Sequence, residues 1–200
     1  MANVNRINGF RPVGTLLGGP WTAQCRKMYH AAGSGLNLNV GDIVALSGES
    51  DADGVPGVVI ATASVDEYDV PDSQATPCGV VVGICPAIDN LVYSYMPGAV
   101  AGYVMVCTDP YLIMEVQADG AVAAAAVGTN ANLVQTIAQS SCLGTSGQEL
   151  DASVAGTTST MIFQIIGIAQ RPDNTINSAY NKVLVTFNVH QFLSVGTDGV

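Results

Sequence analysis

An all-β fold is what the sequence predicts: a single compact β-barrel or sandwich body with an extended N-terminal arm. Apolar and polar residues alternate in short runs, as where Val183, Val185, Phe187 and Val189 are set between Lys182, Thr186, Asn188 and His190. A period of two marks a half-buried strand. About eight such runs are separated by Gly, Pro, Asn and Asp clusters, a spacing that favours a sandwich or barrel over alternating strand and helix units. The chain has 200 residues, of which 48% are apolar and 11% charged. Those proportions exclude a disordered chain and suit one β domain, or one domain with an arm.

Residues 1–35 show no sustained periodicity and are broken by Asn5, Asn8, Gly9, Pro12, Gly18, Gly19 and Pro20. Such a segment cannot build its own core, so it is expected to be extended and to pack on the body or on a partner. The body is expected over residues 36–192 and a Gly-bearing tail over 193–200. Leu36, Leu38 and Val40 alternate with Asn37 and Asn39, and a strand resumes at Ile43 after the Gly41-Asp42 turn. A turn at Asp51 to Gly54 precedes a strand over 58–63, and a loop over 64–77 holds Asp66, Glu67, Asp69 and Asp72. The continuous apolar run 78–85 reads as a buried strand. Residues 100–107 form another, with Gly102 as a bulge or point of close approach. After the Asp109-Pro110 turn, Leu112, Met114 and Val116 share one face of a strand. Residues 121–127 read as a short helix or small-residue strand, 132–139 as a strand or short helix, and 140–160 as loop with one exposed strand. The apolar run 161–169 is a buried strand, ended by the Arg171-Pro172-Asp173-Asn174 turn.

The net charge is −10, from six basic and sixteen acidic residues. Four of the six basics, Arg6, Arg11, Arg26 and Lys27, precede the first acid, Asp42. A basic leading segment on an acidic body is the polarity of an interaction arm. The acidic body repels nucleic acid and anionic lipid, so neither is expected as a partner. No run of 18 apolar residues predicts a membrane-spanning helix, and the opening MANVNRINGF lacks the apolar core of a signal peptide. Five cysteines without repeated spacing do not form a disulfide framework, and most are expected as small buried hydrophobes.

Catalytic and metal motifs are also missing. Glu49, Asp51, Asp53 and Gly54 have the spacing of a calcium loop, but Ile60 stands where its bidentate Glu belongs, so a tight acidic turn is expected. His30 and His190, with Cys25, Cys78 and Cys85 at other spacings, do not make a zinc pattern. There is no G-x-S-x-G and no P-loop. No catalytic residue, metal or cofactor is expected, and the protein is not expected to be an enzyme.

The order of motifs carries a resemblance. Asn5-Arg6-Ile7-Asn8-Gly9-Phe10-Arg11-Pro12 comes first, then Val40-Gly41-Asp42-Ile43-Val44 and the Asp51-Ala52-Asp53-Gly54 turn. Gly79-Val80-Val81-Val82-Gly83-Ile84 follows, then residues 111–117 and Asn130-Ala131-Asn132-Leu133. Arg171-Pro172-Asp173-Asn174 leads to a last strand ending His190-Gln191-Phe192. Over residues 3–192 this set resembles the head decoration, or cement, proteins of tailed bacteriophages.

The resemblance implies a β-barrel or β-tulip body on the outer surface of the virion capsid, made in the cytoplasm of a bacterial host. It implies the major capsid protein as partner, binding over the joints between capsomers, self-association as a homotrimer or sometimes a dimer, and no enzymatic activity. Within the arm, Arg6, Arg11, Arg26 and Lys27 are the expected partners of shell carboxylates. Phe10, Leu16, Leu17 and Trp21 are the expected apolar anchors. Packing of the arm on its own body is the alternative role for all eight. Another virion component, such as a tail or head-fibre adaptor, and a small-ligand-binding barrel are the alternative functions.

Overall fold

A computed structural model of the chain describes residues 3–61, 76–86, 91–135, 144–153, 156 and 159–193. Among these residues the fold is all-β, with a single 3-10 turn at Ala124–Ala126 and no α-helix. The strands are β1 (Arg11–Thr15), β2 (Arg26–His30), β3 (Ile43–Ser50), β4 (Pro56–Ile60), β5 (Gly79–Cys85) and β6 (Gly102–Cys107). They continue with β7 (Leu112–Gln117), β8 (Asn130–Ala131), β9 (Leu133–Gln135), β10 (Gln148–Leu150), β11 (Phe163–Ile168) and β12 (Lys182–Phe187).

Five strands close a barrel in the order β2-β4-β3-β5-β6, and five more form an antiparallel sheet in the order β1-β7-β12-β11-β8. A small β9-β10 pair completes the body. The parallel contact between β2 and β4, at Tyr29 and Gly57, closes the barrel.

Period-two alternation explains how barrel and sheet join. Val44, Val81 and Val106 pack with Met28, Val58 and Ile60 in one buried cluster that fills the barrel. Their neighbours Ile43, Ala45, Val80 and Cys107 belong to a second cluster, with Met114, Val116, Phe163 and Val185 of the sheet. Both faces of the first halves of β3 and β5 are therefore buried, which is why residues 78–85 read as a continuous apolar run. Leu112, Met114 and Val116 share the buried face of β7, as their alternation predicts.

Polar side chains bolt the layers together. The Gln148 side chain accepts from the Ile43 backbone N–H at 2.7 Å and donates to the Ala61 carbonyl at 3.2 Å. The Asn181 side chain exchanges two hydrogen bonds with the Val122 backbone, at 3.0 and 2.8 Å. Each satisfies backbone groups that would otherwise be buried without a partner.

Several expectations are corrected. Residues 3–30 are not a separate arm: β1 is a strand of the sheet and β2 a stave of the barrel. Phe10 is a core residue, 1% exposed, its ring stacked on Phe163 with centroids 4.6 Å apart. Trp21 is half-buried against the same core. The strap before β1 is held at each step. Asn3 bonds the Thr175 backbone, the Arg6 backbone N–H donates to Gln117 Oε1 at 2.8 Å, and Phe10 N–H donates to the Gly41 carbonyl at 2.9 Å. Gly9 (φ +63°) and Gly41 (φ +93°) let the two backbones cross; a Cβ on Gly9 would strike Ser146 and sit 2.6 Å from the Gly41 oxygen.

Residues 36–40 do not alternate as a strand. Leu36 and Val40 are exposed while Leu38 and Asn39 are buried. A local turn takes over, in which Asn39 N–H donates to Asp42 Oδ2 at 2.7 Å and Asp42 N–H to the Asn39 carbonyl at 3.1 Å. The strand within 140–160 is β10, and it is wholly buried rather than exposed, because Gln148 and Glu149 find polar partners inside. The alanine-rich segment yields just the 3-10 turn. Residues 62–75, which take in the end of the strand expected over 58–63 and all four acids of the loop expected over 64–77, lie outside the described residues, as do 136–143 and the tail from 194.

Candidate docking face

The N-terminal segment presents a surface as well as a core contact. β1 is the outermost strand of its sheet. Such an edge offers unpaired backbone groups, but this one is blunted. Pro12 has no N–H, the register shifts between Pro12 and Gly14, and the chain folds back so that Gly14 bridges Pro20. Recognition here therefore falls to side chains rather than to an added strand.

Leu16 and Leu17 occupy the tip of that return. Thr15 N–H donates to the Gly19 carbonyl at 3.0 Å and Gly18 N–H to the Thr15 carbonyl at 3.0 Å, a tight turn in which Gly18 takes φ +86°. The turn throws Leu17 into solvent at 85% exposure, beside Leu16 at 47%. Leu16 N–H bonds the Tyr111 carbonyl, and Tyr111 and Val13 of β1 are themselves exposed. Elsewhere Leu36, Leu91, Tyr93 and Val100 are exposed, and Tyr93 and Val100 line an apolar recess of about 60 Å³.

The six cations separate into two sets. Arg26 and Lys27 are exposed on β2. The Lys27 ammonium lies 3.6 Å from the centroid of the Tyr103 ring, and the Tyr103 hydroxyl donates to Asp51 Oδ2 at 2.7 Å. That hydrogen bond holds the Asp51 carboxyl below its ordinary range and the Tyr103 hydroxyl above its own. Asp51 Oδ1 accepts from the Asp53 and Val55 backbone N–H groups, so this carboxylate serves the turn and Tyr103.

Arg6 and Arg11 line a cleft of about 280 Å³ together with Arg171 and Lys182. The sequence hides this grouping, because some 160 residues separate its two halves; β1 and β12 flanking β7 bring them together. The Arg171 guanidinium is clamped. Its Nε and Nη2 donate to the two Asp173 oxygens at 2.9 Å, and its Nη1 donates to Glu115 Oε1 at 2.8 Å. Lys182 stands 3.5 Å from Asp173. The Arg171 contacts hold the Asp173 carboxyl below its usual range.

Both histidines are structural in placement. His190 is 2% exposed between the Phe187 and Phe192 rings, and its Nδ1 accepts the Phe192 N–H at 3.2 Å. Burial pushes its pKa down to about 4. His30, 1% exposed, has Ser34 Oγ 3.0 Å from Nε2, and burial lowers its pKa as well. Cys78 and Cys107 are buried and Cys25 is exposed, and burial pushes the Cys78 thiol up to about 12. Among the described residues, no three His, Cys, Asp or Glu side chains gather in a metal-binding arrangement.

No family model, no curated protein and no solved structure matches the chain.

Proposed function

We propose that the chain is a non-enzymatic virion structural protein: a capsid decoration, or cement, protein that binds the outer surface of the major capsid protein shell and stabilises capsomer joints. The exposed apolar turn at Leu16 and Leu17 carries this reading. A folded chain gains nothing from holding Leu17 in water, and an exposed apolar turn fits a protein partner. Burying each leucine in a shell pocket contributes about 1.5–3 kcal/mol. Self-association as a trimer or dimer would present several such turns at once, raising avidity without new contacts. The barrel interior is filled by Met28, Val44, Val58, Val81 and their neighbours, which speaks against a small-ligand barrel.

Two measurements test the reading. Quantitative mass spectrometry of purified virions should find this chain at the same order of copies as the shell protein. A handful of copies would move it to a tail or vertex, and absence would end the virion reading. In the second, Leu17→Asp should reduce binding to expanded shells by at least about tenfold while leaving the thermal midpoint in place. Undiminished binding would remove the turn from the interface.

A further inference from the structure

We propose that the cleft between the N-terminal strap and the β7–β12 end of the sheet is a binding site for an acidic polypeptide segment, with Arg6 and Arg11 as its carboxylate-recognising residues. The assignment stands on the cleft alone and does not require the shell reading.

Four of the chain's six cations meet in this cleft, on a molecule of net charge −10. Two of the four are already matched. Arg171 is held by Asp173 and Glu115, and Lys182 lies beside Asp173. Arg6 and Arg11 are not: among the described residues neither guanidinium has an ion pair. The case of Arg11 is informative because it sits directly opposite Glu115 in the β1–β7 register. Facing residues of opposite charge on adjacent strands are close enough to pair. Yet the Glu115 carboxylate is taken by Arg171, 56 residues away in sequence. The clamp therefore leaves Arg11 available and fixes the wall beside it.

Arg6 is equally well prepared. Its backbone is tied to Gln117 Oε1, and Gln117 Nε2 donates to Asn5 and to Glu149. The strap is pinned while the two side chains project, which lowers the ordering cost of binding. Two guanidinium forks on a fixed frame suit carboxylates, which each accept two N–H bonds.

Size and charge set the class of ligand. At about 280 Å³ the cleft is several times larger than one tetrahedral anion and takes two or three side chains. Glu115 and Asp173 line or adjoin it and oppose the dense charge of a phosphate. The acidic body opposes a long polyanion, but its repulsion is screened beyond about 8 Å. A short stretch of Asp and Glu on a partner's loop or terminus meets all three conditions.

The test is calorimetric titration of the intact chain, at low salt, with an N-acetylated, C-amidated peptide Asp-Glu-Asp-Glu. The parallel arms are its Asn-Gln-Asn-Gln counterpart and inorganic phosphate. The acidic peptide should bind, the amide peptide should not, and phosphate should bind at least about tenfold more weakly. Arg6→Gln and Arg11→Gln, two independent variants of exposed side chains, should each weaken the acidic peptide by about tenfold or more with an unchanged circular dichroism spectrum. Phosphate binding as tightly as the peptide would make this a small-anion site and overturn the proposal. No binding of the acidic peptide, or full binding by both variants, would overturn it as well.

Discussion

Phe10 stacks against Phe163 and is 1% exposed, whereas Leu17, seven positions on, is 85% exposed at the tip of a turn. Both read from the sequence as apolar anchors in a segment without periodicity, and composition could not separate them. What separates them is the crossing at Gly9 and Gly41, which delivers Phe10 to the core and depends on a residue pair 32 positions apart. Leu17 is carried into solvent by the tight turn through Gly18, which lifts it off the body. Alanine substitution distinguishes the roles. Phe10→Ala should cost about 3–5 kcal/mol in urea unfolding, the range for an aromatic removed from a packed core. Leu17→Ala should change stability by less than about 0.5 kcal/mol, since it deletes no intramolecular packing. Equal effects from the two would contradict the burial difference.

At the scale of elements, the alternating runs were legible and the N-terminal segment was not. β7 and β12 fall where apolar alternation placed them, and β5 and β11 where continuous apolar runs did, because each buries one face or both against a fixed neighbour. β1 and β2 carry no such pattern. Arg11, Pro12 and Gly14 in β1, and Arg26 and Lys27 in β2, are poor strand formers by composition, and these strands form through their pairing with β7 and β6. The cationic cleft was half legible. Arg6 and Arg11 stood out as early cations, but Arg171 and Lys182 read as a turn residue and a strand's solvent face until the sheet order joined them. The integration of β1 and β2 has a direct consequence for deletion. Removal of residues 1–27 takes away the strap, all of β1, Phe10 and the first two residues of β2. The truncated chain should therefore fail to fold cooperatively, as seen by loss of a sigmoidal urea transition and of near-ultraviolet dichroism. A truncated protein that melts with the parent midpoint would mean that the first 27 residues are dispensable to the body after all.

At the scale of the whole molecule, the two histidines make the fold sensitive to acid. His190 has a pKa of about 4 in the folded chain, against an ordinary value of 6.5, because burial between aromatic rings penalises the imidazolium. The backbone hydrogen bond at Cys78 and, after it, the pull of Asp109 oppose that penalty without offsetting it. Protonation would also fall on Nδ1, the atom that accepts the Phe192 N–H. A base whose pKa is lowered by folding is neutral in the native state while the unfolded chain already takes up a proton. Stability from His190 is thus fully present above about pH 6.5, declines as pH falls toward 4, and declines no further below that. Each unit of separation is worth about 1.4 kcal/mol, so His190 alone should remove about 2 kcal/mol between roughly pH 7.5 and 5, and about 3 kcal/mol at most. His30, lowered by the same cause, acts in the same direction. Acidification also reduces the net charge of −10 and with it the self-repulsion of the body, which works the other way. A difference measurement cancels that general term. Urea unfolding of the parent and of His190→Gln, each at about pH 7.5 and 5, should show the variant less stable at the higher pH but with an acid-induced loss smaller by about 2 kcal/mol. The same acid-induced loss in both proteins would mean that His190 takes up its proton in the folded state, against the burial that surrounds it.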